Sequence, residues 1–387
     1  MSDPHEMTPL VQGVPSPVPR GDGDARGVEP QAHRQTGRLG SGPALGPQMP
    51  PLLAEDLAAC RASLAHNSKT FHAASLLLPP AVRAPATVLY GFCRLADDTV
   101  DVEGGRRLAI TQLRRRLDRV FEGRPQPVPA DRALAAVVAQ FAIPRALLDL
   151  LLEGLSWDVE GREYETLDEL QDYAARVAGT VGAMMSLLMG VRSPDALARA
   201  CDLGVAMQLS NIARDVGEDA AMGRLYVPRQ WLREAGLDPA AWLAAPRFCP
   251  ALAGVVQRLL DAADALYASA AAGVASLPLA CRPGINAARL LYAAVGHEVA
   301  RAGFDSVSRR AVVPRRRKQR LLLRAAVSLW PAQARLQAPP LRANRPLLAA
   351  VAATPLPAPV RKVDFLIDLF DRLGRQDHRA GLGRGAA

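Results

Sequence analysis

The chain has 387 residues, 49% of them apolar and 22% charged, and a formal net charge of +9. That apolar content supports a sizeable core, and a low 5% aromatic share with abundant Ala, Leu and Val favours helices over sheets. The basic charge suits anionic substrates or an anionic membrane surface; with no RNA- or DNA-binding signature beside it, no nucleic-acid partner is expected.

Residues 1–50 read as a disordered leader. They are rich in Pro and Gly (Pro15, Pro17, Pro19, Gly21, Gly23) and show no apolar periodicity. No apolar stretch with a following cleavage site marks a secretory signal. No strand precedes Gly21–Gly23, so a nucleotide-binding loop is not expected there. Five scattered cysteines (Cys60, Cys93, Cys201, Cys249, Cys281) form no Cys-x-x-Cys pair and read as reduced thiols of a cytoplasmic protein.

Residues 51–323 read as one all-α domain. Apolar residues recur at spacings of three and four, punctuated at Pro79–Pro80, Gly104–Gly105, Pro125–Pro129, Pro228, Pro246 and Pro283. The two long uncharged stretches, Val177–Val191 and Ala265–Cys281, hold fifteen and seventeen residues. As helices they cover about 22 and 26 Å, short of a bilayer core of about 30 Å. Residues 324–387 read as a Pro-rich extension carrying a short amphipathic helix, with Val363, Leu366, Ile367, Phe370 and Leu373 on one face.

Two segments carry chemistry. In Tyr90–Asp101, Asp97 and Asp101 stand four apart and share a helix face, with Arg94 and Tyr90 one and two turns earlier. Alone, that pair reads as readily as a solvated acidic face. The second segment changes the balance. Asn211, Asp215 and Asp219 follow one another at intervals of four, Gln208 lies one turn before them, and Val205, Leu209, Ile212 and Val216 make their helix a largely buried one. Buried carboxylates are normally paired or metal-bound. Oxygen-rich faces without histidines match magnesium, with manganese as its substitute, and the Glu-x-x-His pairs of a di-iron bundle are missing. Magnesium keeps waters and takes phosphate oxygens, so two such faces imply a diphosphate between them. A unit charge pair at about 4 Å is worth roughly 4 kcal/mol at an effective dielectric of 20.

These segments belong to a longer pattern. Ser68-Lys69-Thr70-Phe71 resembles the opening motif of the squalene/phytoene synthase family; Tyr90–Asp101 resembles its first aspartate motif and Gln208–Pro228 its second. Glu153–Tyr164, Tyr173–Gly182 and the late block Ala288–Pro314 are similar to the family's other blocks, in the same order.

The resemblance implies an isoprenoid-synthase fold, a single large helical domain around a central cavity. It implies that Asp97, Asp101, Asn211, Asp215 and Asp219 form the metal and diphosphate sites, with Asp98 and Glu218 as supporting charges. It further implies that Ser68, Lys69, Arg94, Gln208, Arg214 and Arg224 serve the substrate, and that either Arg309 or Arg310 is the late diphosphate arginine. Tyr173 and Tyr292, with Asp97 and Asp215, would be the catalytic set. Among relatives the pattern is most similar to bacterial phytoene synthases. The implied activity joins two geranylgeranyl diphosphates head to head; squalene or dehydrosqualene formation from farnesyl diphosphate is the alternative. Partners would be the prenyl diphosphate and other carotenoid-pathway enzymes.

Within this frame Gly179, Gly182 and Ala183 thin one helix, while Met184, Leu187, Leu188 and Met189 are expected to line an isoprenoid pocket. Tyr90, Phe92 and Tyr173 would face a carbocation, each worth about 0.5–2 kcal/mol. Trp157 reads as packing. Ala174–Ala175 departs from the larger residues common in relatives, which bears on local cavity packing. The run Arg315–Lys318 reads as a solvated face that also suits anionic lipid, so the chain is expected in the cytoplasm, peripheral at the inner membrane face.

Overall fold

The computed structural model describes residues 53–67, 69–101, 106–327 and 336–354, and among them there are helices and no strand. The expected leader and the helix expected around Leu366 lie outside the described residues.

The first helices form one wall: α1 (Ala54–Asn67), α2 (Lys69–Ser75), α3 (Pro80–Asp101), α4 (Arg106–Phe121) and α5 (Pro129–Phe141). Two ion pairs with buried carboxylates pin α5 in place, Arg132 Nε to Asp56 on α1 at 3.0 Å and Arg116 of α4 to Asp131 at 2.7 and 2.9 Å. Next come α6 (Arg145–Glu160), stopped at Gly161 in the left-handed region (φ 65°), and α7 (Leu167–Ala174). Helix α7 starts on a capping box in which Thr166 and Glu169 satisfy each other's backbone N–H groups.

Helix α7 runs directly into a π-turn, Ala175–Gly179, and then α8 (Thr180–Leu188). The extra residue per turn re-aims the side chains that follow it, a device frequent at functional sites. Ala174 and Ala175 are fully buried, so small residues at this junction let the π-turn sit inside the core.

Helix α9 (Pro194–Ala221) is the axis of the molecule. It begins at Ser193, whose side chain accepts from the Ala196 N–H, with Pro194 at the first position. Helices α7 and α8, together with α12 (Pro250–Val274) and α13 (Arg282–Arg301), pack on it, so a solvent-facing polar stripe is largely missing from its first half. The π-turn and α8 lie close enough on α9 that a Cβ on Gly182 would lie 2.2 Å from the Ala200 carbonyl oxygen, and one on Gly204 2.2 Å from that of Ala178 in the π-turn. Short helices α10 (Arg229–Glu234) and α11 (Pro239–Ala244) link α9 to α12.

The expected boundary at residue 323 falls inside α14 (Arg315–Val327), which lies against α13. Part of the region read as a Pro-rich extension is docked on the body: a 3-10 turn, Arg342–Asn344, and α15 (Arg345–Ala352) pack against α6, α8 and α9. Leu347 and Asn344 are fully buried, Ala343 and Val351 nearly so. Arg342 at the head of the 3-10 turn pairs with Asp172 and Asp168 of α7 at 3.4 and 3.5 Å, partners some 170 residues away that periodicity cannot reveal. All five cysteines are free thiols. Burial, and then the Asp56 carboxylate beside it, pushes the Cys60 thiol up to about 11.

Candidate active site

Helices α3, α6, α8, α9, α12 and α13, with the π-turn, enclose an elongated cavity of about 490 Å³. On four helices the lining ends in polar groups that meet at one end, while α12 adds only Ala270, Gly273 and Val274. The lining runs from Ala86 to Asp97 on α3, from Leu151 to Asp158 on α6, from Ala196 to Asn211 on α9 and from Ile285 to Tyr292 on α13. Between Ala196 and Asn211 the axis advances about 22 Å. The polar groups therefore gather at one end of a long apolar hollow.

At that end carboxylates and arginines interlock. Arg94 donates to Asp97 at 2.8 Å and also pairs with Asp98. Across the cavity Arg214 Nε donates to Asp215 at 2.7 Å, and Arg310 reaches the same carboxylate through Nε at 2.9 Å and Nη2 at 3.2 Å, with Glu218 3.4 Å away. The loop that presents Arg310 is tied to α9 by Gly217 N–H donating to the Ser306 carbonyl at 2.9 Å. A side chain at Gly217 would meet the Val307 carbonyl oxygen at 2.6 Å, so the glycine is what lets this loop lie on the helix. Arg309 instead donates to the Ala302 carbonyl at 3.1 Å, which singles out Arg310 as the late arginine on the site.

Asp219 is half-buried, and burial, then the neighbouring Asp215 charge, pushes its carboxyl up to about 7. Two carboxylates held together away from water each disfavour the other's charge, and a cation relieves that. Among the described residues no three His, Cys, Asp or Glu side chains close on one point.

A second polar knot stands beside the first. Tyr173 donates to one oxygen of Asp158 at 2.9 Å and Tyr226 to the other at 2.8 Å. The rings of Tyr164, Tyr173 and Tyr226 pack with centroids 5.3 to 6.1 Å apart. Burial pushes the Asp158 carboxyl up to about 6 against the pull of both hydroxyls, and burial raises Tyr173 well above its ordinary value. Asp158 and Tyr226 carry no role in the sequence reading, although both sit in blocks it recognises. A signal was there: Asp158 follows Leu151 and Leu155 at i+7 and i+3, a lone carboxylate on a cavity-facing apolar stripe.

The expected site residues fall as follows. Tyr173, Tyr292, Arg94, Asp97, Gln208 and Asn211 line the cavity. Arg214, Asp215 and Arg310 form the ion-paired group beside it. Arg224 is tied back to the second cluster by its N–H donating to the Asp219 carbonyl at 2.8 Å, and its charge opposes the rise of the Asp219 and Asp158 carboxyls. Asp101 and Lys69 fall on α3 and α2, but their side chains, and Ser68, lie outside the described residues.

The expectations for Met184, Leu187, Leu188 and Phe92 need correction. Met185 and Met189, with Val177, Ala178 and Val181, face the cavity, whereas Met184, Leu187 and Leu188 turn into the core. The π-turn accounts for this, because it rotates α8 relative to a continuous α-helical register. Phe92 is fully buried in the core; Tyr90, Tyr173 and Tyr292 are the aromatic residues on the cavity. Trp157 packs as expected, its ring flanked by the guanidinium groups of Arg162 at 3.8 Å and Arg176 at 4.4 Å.

Comparison with known proteins places this arrangement. A family model described as squalene/phytoene synthase matches residues 64–317, more than half of the chain. A phytoene synthase of Cereibacter sphaeroides is 57% identical over 273 residues, covering 68% of this chain and 77% of that protein. One of Rhodobacter capsulatus is 54% identical over 276 residues, covering 70% of this chain and 81% of the relative. Among solved structures, a dehydrosqualene synthase superposes with a TM-score of 0.66 at 30% identity, covering 71% of this chain and 96% of its own. The chain belongs to the squalene/phytoene synthase family.

Proposed function

We propose that this protein is a prenyltransferase that joins two geranylgeranyl diphosphates head to head into phytoene, the entry to carotenoids, by way of a cyclopropylcarbinyl diphosphate. The observation that carries this reading is the graded cavity: a long, largely apolar hollow with carboxylates and tyrosines at one end only, joined there by Arg94. Relatives named phytoene synthase at 54% and 57% identity support the choice of substrate and product over squalene-type alternatives.

In the first half-reaction the C1–oxygen bond of one substrate breaks. The double bond of the second attacks that C1, a proton is lost, and one diphosphate departs. In the second half-reaction the cyclopropylcarbinyl diphosphate loses its diphosphate, rearranges and gives up a second proton. Two diphosphates and two protons leave and no reductant is consumed.

The donor set fits a hard divalent cation: carboxylates and one amide, with Asp215 and Asp219 close enough to repel. Asp97, Asp101, Asn211, Asp215 and Asp219 would hold magnesium, or manganese in its place, whose charge, when bound, stabilises the departing diphosphate. Arg94, Arg214 and Arg310 are already gathered there on carboxylates and exchange these for phosphate oxygens, aided by Ser68, Lys69 and Arg224. Tyr173, its hydroxyl fixed by Asp158, and Tyr292 present their rings to the cation. The apolar walls keep water away, so that a double bond, not water, captures it.

Incubation of the purified chain with magnesium and geranylgeranyl diphosphate is expected to yield phytoene and two equivalents of diphosphate. A parallel incubation uses farnesyl diphosphate with and without NADPH. No diphosphate release from either substrate would sink the reading; turnover of farnesyl diphosphate alone would redirect it to the squalene branch.

We also place the protein in the cytoplasm, at the inner membrane face. No described helix is long and apolar enough to cross a membrane. Helix α14 instead exposes Arg316, Arg320, Leu323, Arg324 and Val327, a mixed cationic and apolar face suited to anionic headgroups. Co-sedimentation with anionic but not neutral vesicles is the expected result, abolished by charge reversal at Arg316 and Arg320.

A further inference from the structure

The end of the cavity remote from the aspartates holds a feature that ionisation chemistry does not call for. Arg199 lines the hollow there, beside Ala196 and Ala200, yet is only 1% exposed. An unpaired guanidinium in an apolar site would be prohibitive. Its charge is taken up on the outer side of α9, where Nε lies 2.9 Å from Asp202 and Nη1 and Nη2 donate to the Ala338 and Pro339 carbonyls at 3.1 and 3.4 Å. Asp202 is itself 2% exposed and accepts from Asn344 Nδ2 at 2.8 Å.

Both carbonyls and Asn344 belong to residues 336–352, which lie beyond the part of the chain matched by the family model. The segment also closes on the π-turn: a Cβ on Gly179 would sit 3.2 Å from Leu347 and 3.3 Å from Asn344 Oδ1. On the inner side the Arg199 stem is wedged against α12, where a Cβ on Gly273 would lie 2.4 Å from Arg199 Cβ.

A buried ion pair of this kind adds little stability compared with apolar residues of the same volume, and its best-attested use is to fix one arrangement among several. Here it fixes where the Arg199 stem stands in the cavity and holds the segment that anchors its head.

We propose that residues 336–352 form a clasp that sets the depth of the isoprenoid cavity, with Arg199 as the specificity-determining residue. Its aliphatic stem is the wall against which the distal end of the substrate chain stops, and the Asp202–Asn344 pair and the 338–339 carbonyls hold its head out of the hollow. The substrate class follows: prenyl diphosphates are sorted by length at this end and ionised at the other. The inference rests on the prenyltransferase reading above.

The test uses the full chain with magnesium and three diphosphates, farnesyl, geranylgeranyl and geranylfarnesyl. It compares kcat/KM for diphosphate release. In R199A/D202N, which removes both charges together, the geranylfarnesyl-to-geranylgeranyl ratio is expected to rise at least tenfold. In A200L, which fills the same end, the farnesyl-to-geranylgeranyl ratio is expected to rise at least tenfold. In N344A, which touches the clasp but not the cavity wall, a shift in the first direction of a few fold is expected. Because N344A leaves Arg199 in place, it also serves where the double variant fails to fold. Ratios unchanged in folded variants would overturn the clasp while leaving the prenyltransferase reading intact. A wild-type chain silent on all three diphosphates would instead overturn that reading.

Discussion

Helix α9 carries two arginine–aspartate groups about four turns apart, and they illustrate opposite uses of the same chemistry. At the polar end Asp215 is shared by Arg214 and Arg310, and Arg310 is nearly half exposed at 47% of its side chain. At the remote end Arg199 and Asp202 are almost wholly buried and bound to a distant part of the chain. The first group can exchange partners with an anion at small cost. The second cannot, since separating it would strand a charge in a low-dielectric interior. Exposure, not residue type, separates a group free to take an anion from one that can only hold shape.

The largest expected break in this comparison is at the polar end. Asp215→Ala is expected to lower phytoene formation by about a thousandfold, the scale on which preorganised electrostatic groups act. Its melting temperature should fall less than that of Arg199→Ala, because Arg310 is half exposed and Asp219 is relieved of a repelling neighbour, which offsets part of the loss at Arg214. Activity and melting temperature measured on one preparation check both halves.

Stability variants sharpen the contrast. Removing one partner of a buried pair costs about 3–5 kcal/mol, so Arg199→Ala alone should lower the unfolding free energy by that order. Arg310→Ala, losing a half-exposed pair, should cost at most about 1 kcal/mol while cutting turnover by one to two orders of magnitude. Urea unfolding of both variants, read against their activities, tests whether the two groups differ as their burial implies.

The smallest effect concerns protons. Asp219 titrates near 7 in the folded chain, against about 4 when unfolded. The folded chain therefore keeps a proton that the unfolded chain has lost between those values. The stabilisation this gives is present at low pH and disappears as pH rises through 7. A cation needs the deprotonated carboxylate, so magnesium should raise the melting temperature more at pH 8 than at pH 5.5. An equal shift at both pH values would show that Asp219 is not among the ligands.

Much of the polar end was legible because its logic is local. Asn211, Asp215 and Asp219 owe their common face to helical spacing, and Val205, Leu209, Ile212 and Val216 are buried as the periodicity predicts. Other parts were hidden because they depend on partners far away in the chain. Arg310 finds Asp215 across 95 residues, Tyr226 finds Asp158 across 68, and Asn344 finds Asp202 across 142. The π-turn was hidden for a different reason: nothing in the apolar period announces one extra residue in a turn, and the cavity takes Met185, beside the expected Met189, while Met184, Leu187 and Leu188 turn into the core.

The sequence by itself determined that the protein is helical, that two oxygen-rich faces lie on separate helices, and which family those faces resemble, because these are matters of spacing along one chain. Only the tertiary structure decided that Arg310 rather than Arg309 meets the site, that Asp158 holds Tyr173 and Tyr226, and that residues 336–352 close on Arg199. Those outcomes depend on which distant groups share a buried space. There, desolvation makes an unpaired charge so costly that each group must find its partner wherever the fold brings one.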